Sequence, residues 1–167
     1  MHLVRDALPE ARGRARLRVI GIGNRWRSDD GVGPVVAGRV HELAPGLEVV
    51  VQEGEPVALL DAFDGADAVV VVDAISSGGA PGTVHSLDAI AAPLPHELFA
   101  RSTHHLGLGE AVELGRALGR LPARLLVVGV EGASWDAGDE LSAPVAAAVD
   151  RAAAVVLEEV AQYTSAP

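Results

Sequence analysis

The sequence predicts an α/β protein, a single domain with a twisted, mostly parallel sheet sandwiched between helices in three layers. Three observations lead there. From Leu17 onward, apolar runs of strand length alternate with stretches of helical periodicity, the order that lays parallel strands with helices crossing between them. One run, "ADAVVVVDAI" from Ala66 to Ile75, is apolar without alternation, as in a strand covered on both faces. The 167 residues are 49% hydrophobic and 22% charged, which suits one folded core.

Each element follows from its own residues. Residues 1–16 are polar and irregular and read as a loosely ordered N-terminal arm, leaving 17–163 as the domain. "LRVIGIG" is a strand that ends in glycines. "GVGPVVAGRVHEL" carries Val35, Val36, Val40 and Leu43 at helical spacing, with Pro34 in the first turn. "LEVVVQEG" is a second strand and "PVALLDAF" a short amphipathic helix. After the buried third strand, "GTVHSLD" alternates as a shorter one, and Ala89 to Arg101, with Pro93 and Pro95, reads as a long loop. "GLGEAVELGRALG" is helical and "ARLLVVGVEG" is another long strand. The closing helix starts at Ser142, its expected N-cap, with Pro144 in the first turn.

Composition removes several function classes. A net charge of −10, from 13 basic and 23 acidic residues, argues against a nucleic-acid surface. The arginines at positions 12, 14, 16 and 18 have no apolar stretch behind them, so they do not read as a signal peptide. No apolar run reaches the ~18 residues of a membrane span, and a cytoplasmic protein is expected. Cysteine is absent, which removes disulfides, thiol nucleophiles and thiolate metal sites. There is no G-x-S-x-G elbow, no H-E-x-x-H helix, and no Walker A loop in a chain without lysine.

In open parallel sheets, ligands bind beyond the carboxyl ends of the strands. Three places satisfy that rule. Asp29 and Asp30 follow the first strand, Asp73 ends the run "VVVVD", and His104 and His105 precede a helix in "RSTHHLGLGE". Carboxylates and an imidazole converging at one sheet edge suit nickel or zinc. Each also has a plainer reading: a helix cap for Asp29 or Asp30, a turn for Asp73, a satisfied surface or core residue for the histidines. His41, His85 and His96 fall within a helix, along a strand and in a Pro-flanked loop, away from strand carboxyl ends.

Four blocks in order resemble the hydrogenase maturation endopeptidases that process nickel–iron hydrogenases. They are "GIGNRWRSDDGVGPVVAGRV", "VVVVDAISSGGAPGTV", "STHHLGLGEAVELGRAL" and "GVEGASWDAGDELSAPVAAAV", and the likeness runs from about Leu17 to Val160. It implies an enzyme that removes the C-terminal extension of a nickel–iron hydrogenase large-subunit precursor after nickel insertion. It also implies that Asp30, Asp73 and His104 meet the nickel, which the precursor supplies, and carry the reaction. Position 30 is Asp where some members have Glu, and His105 stands where glycine is common, so His105 is the alternative to His104. The glycines at 21, 23, 31 and 33 then serve close backbone approach, with aspartates facing a cation rather than a phosphate.

Two other readings remain at this stage. A non-enzymatic nickel chaperone would use the same three ligands. A nucleotide-binding α/β domain would use Glu53 as its ribose acid, about 30 residues beyond Gly23 where the fingerprint expects about 20. Trp26 also replaces that fingerprint's third glycine.

Overall fold

In the computed structural model, residues 15–101 and 107–165 are described. Most of the expected N-terminal arm, residues 1–14, lies outside them, as do His104 and His105. Of the arm's last two residues, Arg16 is tied to the domain. Its N–H donates to the Asp67 carboxylate at 2.7 Å, and its carbonyl accepts from Asp67 N–H at 2.8 Å.

Five strands form one sheet: β1 (Leu17–Ile22), β2 (Glu48–Gln52), β3 (Ala68–Ile75), β4 (Val84–Asp88) and β5 (Arg124–Glu131). Their spatial order is β2-β1-β3-β5-β4; the first four are parallel and β4 runs antiparallel to β5 at one edge. Among the described residues, four α-helices cover it: α1 (Val32–Leu43), α2 (Pro56–Phe63), α3 (Gly107–Leu118) and α4 (Ala143–Ser165). Helices α1 and α4 pack together on one face, and α2 packs with α3 on the other. The expected three-layer α/β architecture is the observed one.

Strand alternation divides the core in two. Val19, Val70, Val72 and Val128 meet Val32, Val36 and Val40 of α1 and Val145, Ala152 and Val156 of α4. Ile20, Ile22, Val69, Val71 and Val127 meet Leu59 and Phe63 of α2 and Leu108 and Val112 of α3. Every residue of β3 is buried, as an unalternated apolar run requires.

Helix α1 crosses the sheet at unusually short range. An added Cβ on Gly33 would stand 2.1 Å from the Ile22 carbonyl and 2.5 Å from the Val72 carbonyl. Only a residue without a side chain admits that approach, which fixes the start of α1 over the ends of β1 and β3.

Two expectations need correction. The stretch 89–101 is no bare loop: it holds a 3-10 turn, His96–Phe99, and buries Ala89, Leu94 and Phe99 in the α2/α3 core. Burying Leu94 and Phe99 contributes about 1.5–3 kcal/mol each, enough to hold a proline-punctuated segment down. Asp73 does not end its strand, since β3 runs on to Ile75. The reason is pairing: β5 continues alongside from Asp73↔Gly129 to Ile75↔Glu131, whereas the β1–β3 register stops at Gly21↔Val72.

Candidate active site

Strand β1 connects through α1 outward to β2, whereas β3 leads toward β4 and β5 on the other side. The crevice between the carboxyl ends of β1 and β3 is therefore the point at which the strand order reverses. After Ile22 the chain leaves the sheet through Gly23 and Asn24, turns, and forms a 3-10 turn at Ser28–Gly31 before α1. Gly23 has φ +148°, and a Cβ there would collide with the Asp30 carbonyl at 1.8 Å. The turn is thereby folded back onto the strand end.

This turn presents two adjacent, fully buried aspartates with different partners. Asp29 accepts four hydrogen bonds: from Ala133 N–H (2.7 Å), Ser134 N–H (2.8 Å), Ser142 N–H (2.7 Å) and Ser142 Oγ–H (2.8 Å). It does not cap the helix that follows it, because the residue preceding α1 is Gly31 and makes no side-chain cap. Instead it binds the exit of β5 to the start of α4. Ser142 directly precedes α4 as expected, and its carbonyl accepts the Ala146 N–H at 2.8 Å while its hydroxyl is given to Asp29. Asp30 has a different partner: its Oδ2 accepts the Asn24 N–H at 3.1 Å, and its charge acts on Asp73.

Asp73 is the first residue of β3 beyond its register with β1. It is buried, and its Oδ1 accepts the following Ala74 N–H at 2.8 Å. Its alternation with Val69, Val71 and Ile75 assigns it to the α2/α3 face, the face on which α3 begins directly after residues 102–106. Burial pushes the Asp73 carboxyl well above the usual carboxylate range; the negative charge of Asp30 raises it further, and the Ala74 N–H opposes both. The structure thus brings Asp30 and Asp73 into electrostatic contact. His104 and His105 lie outside the described residues, and among those described no three His, Asp or Glu side chains gather closely enough to hold an ion.

Sequence reasoning passed over one further acid. Glu131, 2% exposed at the end of β5, accepts from Ser77 N–H (2.8 Å), Gly78 N–H (3.1 Å) and Ser77 Oγ–H (2.7 Å). It pins the loop that leaves β3 just after Asp73. The available signal was the one that marked Asp73, an acid closing an apolar strand. Glu53, the acid of the nucleotide reading, is exposed after β2.

The fold and the crevice define a class: a doubly wound α/β protein whose switch point is lined by paired buried acids rather than prepared for a phosphate. Comparison with known proteins narrows it. The chain belongs to the hydrogenase maturation protease family, whose HycI model matches residues 45–159. It is 30% identical over 149 residues to the hydrogenase expression/formation protein HupD of Thiocapsa roseopersicina, covering 87% of this chain and 67% of that protein. It is 29% identical over 148 residues to HupM of Azotobacter chroococcum mcd 1, covering 86% and 71%. Among solved structures, the hydrogenase maturating endopeptidase HybD from E. coli superposes with a TM-score of 0.75 at 26% identity, covering 89% of this chain and 93% of that one. The [NiFe] hydrogenase maturation protease HybD from Thermococcus kodakarensis gives 0.68 at 27% identity, covering 86% and 97%.

The chain is accordingly a processing protease, a peptide-bond hydrolase, and the chaperone and nucleotide-binding readings fall away. No helix among the described residues is long and apolar enough to cross a membrane.

Proposed function

We propose that this protease removes the C-terminal extension of a nickel–iron hydrogenase large-subunit precursor after nickel has been inserted. In this reading Asp30, Asp73 and His104 recognise the precursor's nickel. The observation that carries it is the pair of buried like charges, Asp30 and Asp73, at the switch-point crevice. Burying two carboxylates side by side, with the charge of Asp30 opposing ionisation of Asp73, is unfavourable until a cation stands between them. Oxygen donors together with an imidazole fit nickel.

The nickel belongs to the substrate and arrives with it. Its binding would supply positive charge beside the scissile carbonyl. The protein's own contribution is to position and to move a proton. Asp30 is held on its turn by the Asn24 N–H, and the Asp73 carboxyl is oriented by the Ala74 N–H. A carboxylate of this pair would take the proton of the attacking water and return it to the leaving amine.

The test is to incubate the purified protein with nickel-loaded and nickel-free precursor and to read intact masses. Loss of a C-terminal fragment from the loaded form alone is the expected result. Cleavage of both forms removes recognition by nickel and keeps the peptidase, and cleavage of neither overturns the assigned substrate.

A further inference from the structure

We propose that the turn Asn24–Ser28 is the substrate-docking element of this protease, with Trp26 as the apolar anchor that the precursor polypeptide covers. The inference rests on the protease reading above and deepens it. A single exposed apolar side chain is ordinary on a protein surface. Three features set this one apart.

The first is exposure of the wrong residue type. Trp26 is 72% exposed, more than any other large hydrophobic side chain among the described residues, whereas the second tryptophan, Trp135, packs against the α1/α4 core. Tryptophan is the side chain most often found at the energetic centre of an interface.

The second is that its backbone is held on both sides. Trp26 N–H donates to Asn24 Oδ1 at 2.9 Å, and its carbonyl accepts from Gly138 N–H at 2.9 Å. Ser28 N–H returns a bond to the Gly138 carbonyl at 2.8 Å, and Arg27 N–H donates to the Asn24 carbonyl at 3.1 Å. Ser28 adopts φ +49°, the left-handed region that a residue with a side chain seldom enters, and its Oγ–H is fixed on the Asp136 carbonyl at 3.0 Å. An anchor whose backbone is already ordered loses little entropy when it is covered.

The third is continuity with the reacting groups. Asn24, whose side chain holds the Trp26 N–H, donates its own N–H to Asp30. The same turn walls a cleft of about 170 Å³ bounded by Arg25, Ser28, Gly31, Val35, Asp139 and Leu141. Gly31, which lines this concavity, is the residue after Asp30. A polypeptide bringing its scissile bond to Asp30 and Asp73 passes this turn, and the occupant to which the surface is suited is an apolar segment of the precursor next to that bond.

The experiment compares the unaltered protein with Trp26→Ala and Trp26→Phe, using nickel-loaded precursor for cleavage kinetics and nickel-free precursor for tryptophan emission. Loss of an interface anchor predicts a roughly tenfold to thirtyfold fall in kcat/KM for Trp26→Ala, carried by KM, with recovery in Trp26→Phe. Adding nickel-free precursor should blue-shift the emission of the unaltered protein, and that shift should vanish in Trp26→Phe. An unchanged KM together with an unchanged emission overturns the docking role and leaves the protease reading standing. A precursor that stays uncut while still shifting the Trp26 emission overturns the protease reading and keeps the docking.

Discussion

Asp29 and Asp30 are neighbours in sequence and both fully buried, and exchanging each in turn for asparagine separates what they do. In Asp29→Asn, one carboxylate oxygen becomes an NH₂ group. If the amide oxygen takes the Oδ2 position, it keeps Ala133 N–H, Ser134 N–H and Ser142 Oγ–H, but the NH₂ then faces Ser142 N–H, donor against donor. One lost bond to a buried donor costs about 1–3 kcal/mol, and three further bonds lose the strength a charged acceptor lends them. A total of about 4 kcal/mol is expected. For a chain of this length that lowers the melting temperature by about 8–16 °C. Asp30→Asn removes the charge that repels Asp73, so it should melt at or above the wild-type temperature while losing cleavage of the extension. Thermal melts followed by circular dichroism, with mass-spectrometric cleavage assays on the same samples, measure both. An Asp29→Asn protein melting within about 2 °C of wild type, less than a 1 kcal/mol change produces, would refute the anchoring role. So would an Asp30→Asn protein as unstable as Asp29→Asn.

Three other predictions concern Asp73, Gly33 and the histidine pair. The folded-state pKa of Asp73 lies above its unfolded value, so the folded chain binds the proton more tightly. In chelator, stability therefore falls as pH rises from the ordinary carboxylate range, about 4, through the raised pKa. Asp73→Asn should be the more stable protein in chelator at neutral pH, with the gap closing toward about pH 4; melts across that range test this, and a constant gap counts against it. Gly33→Ala would push a methyl group against the Ile22 and Val72 carbonyls, two backbone atoms that cannot yield separately, and should cost about 3 kcal/mol by denaturant titration. His104→Ala should abolish cleavage while His105→Ala retains it, and cleavage by the unaltered protein should decline below about pH 6 as the imidazole is protonated; activity surviving in His104→Ala removes that residue from the site.

What was legible in the sequence is what local pattern and turn chemistry govern. The unbroken run from Val69 to Val72 could only be a central strand, and the helical spacing of Val36 and Val40 placed α1 against it. The glycines around the first turn announced close backbone contact, which Gly33 makes against two strands at once. The acids Asp30 and Asp73 stood out because they follow apolar strands, and the sheet order sets them at its switch point. Contacts between distant segments were not legible. Nothing local to "SDDG" distinguishes an aspartate that binds the start of α4 from one whose charge acts on Asp73. Glu131 closes an apolar strand as Asp73 nearly does, but its partners Ser77 and Gly78 lie more than 50 residues away and leave no local mark. Pro93 and Pro95 spelled out a loop and hid that Leu94 and Phe99 plug the core from within it. The antiparallel return of β4 depends on which edge of β5 is open, and alternation along "GTVHSLD" carries no such information.

The four bonds to Asp29 also order events in time. The donors lie 104 to 113 residues downstream of their acceptor. A chain emerging from the ribosome holds β1, β2 and β3 before β5 has been made, and a domain folds as a unit. Its aspartate turn acquires these partners only after β5 and the first residue before α4 have been synthesised. Until then the turn that carries Asp30 lacks the four hydrogen bonds that brace it in the folded protein, so the last segments synthesised complete the candidate site.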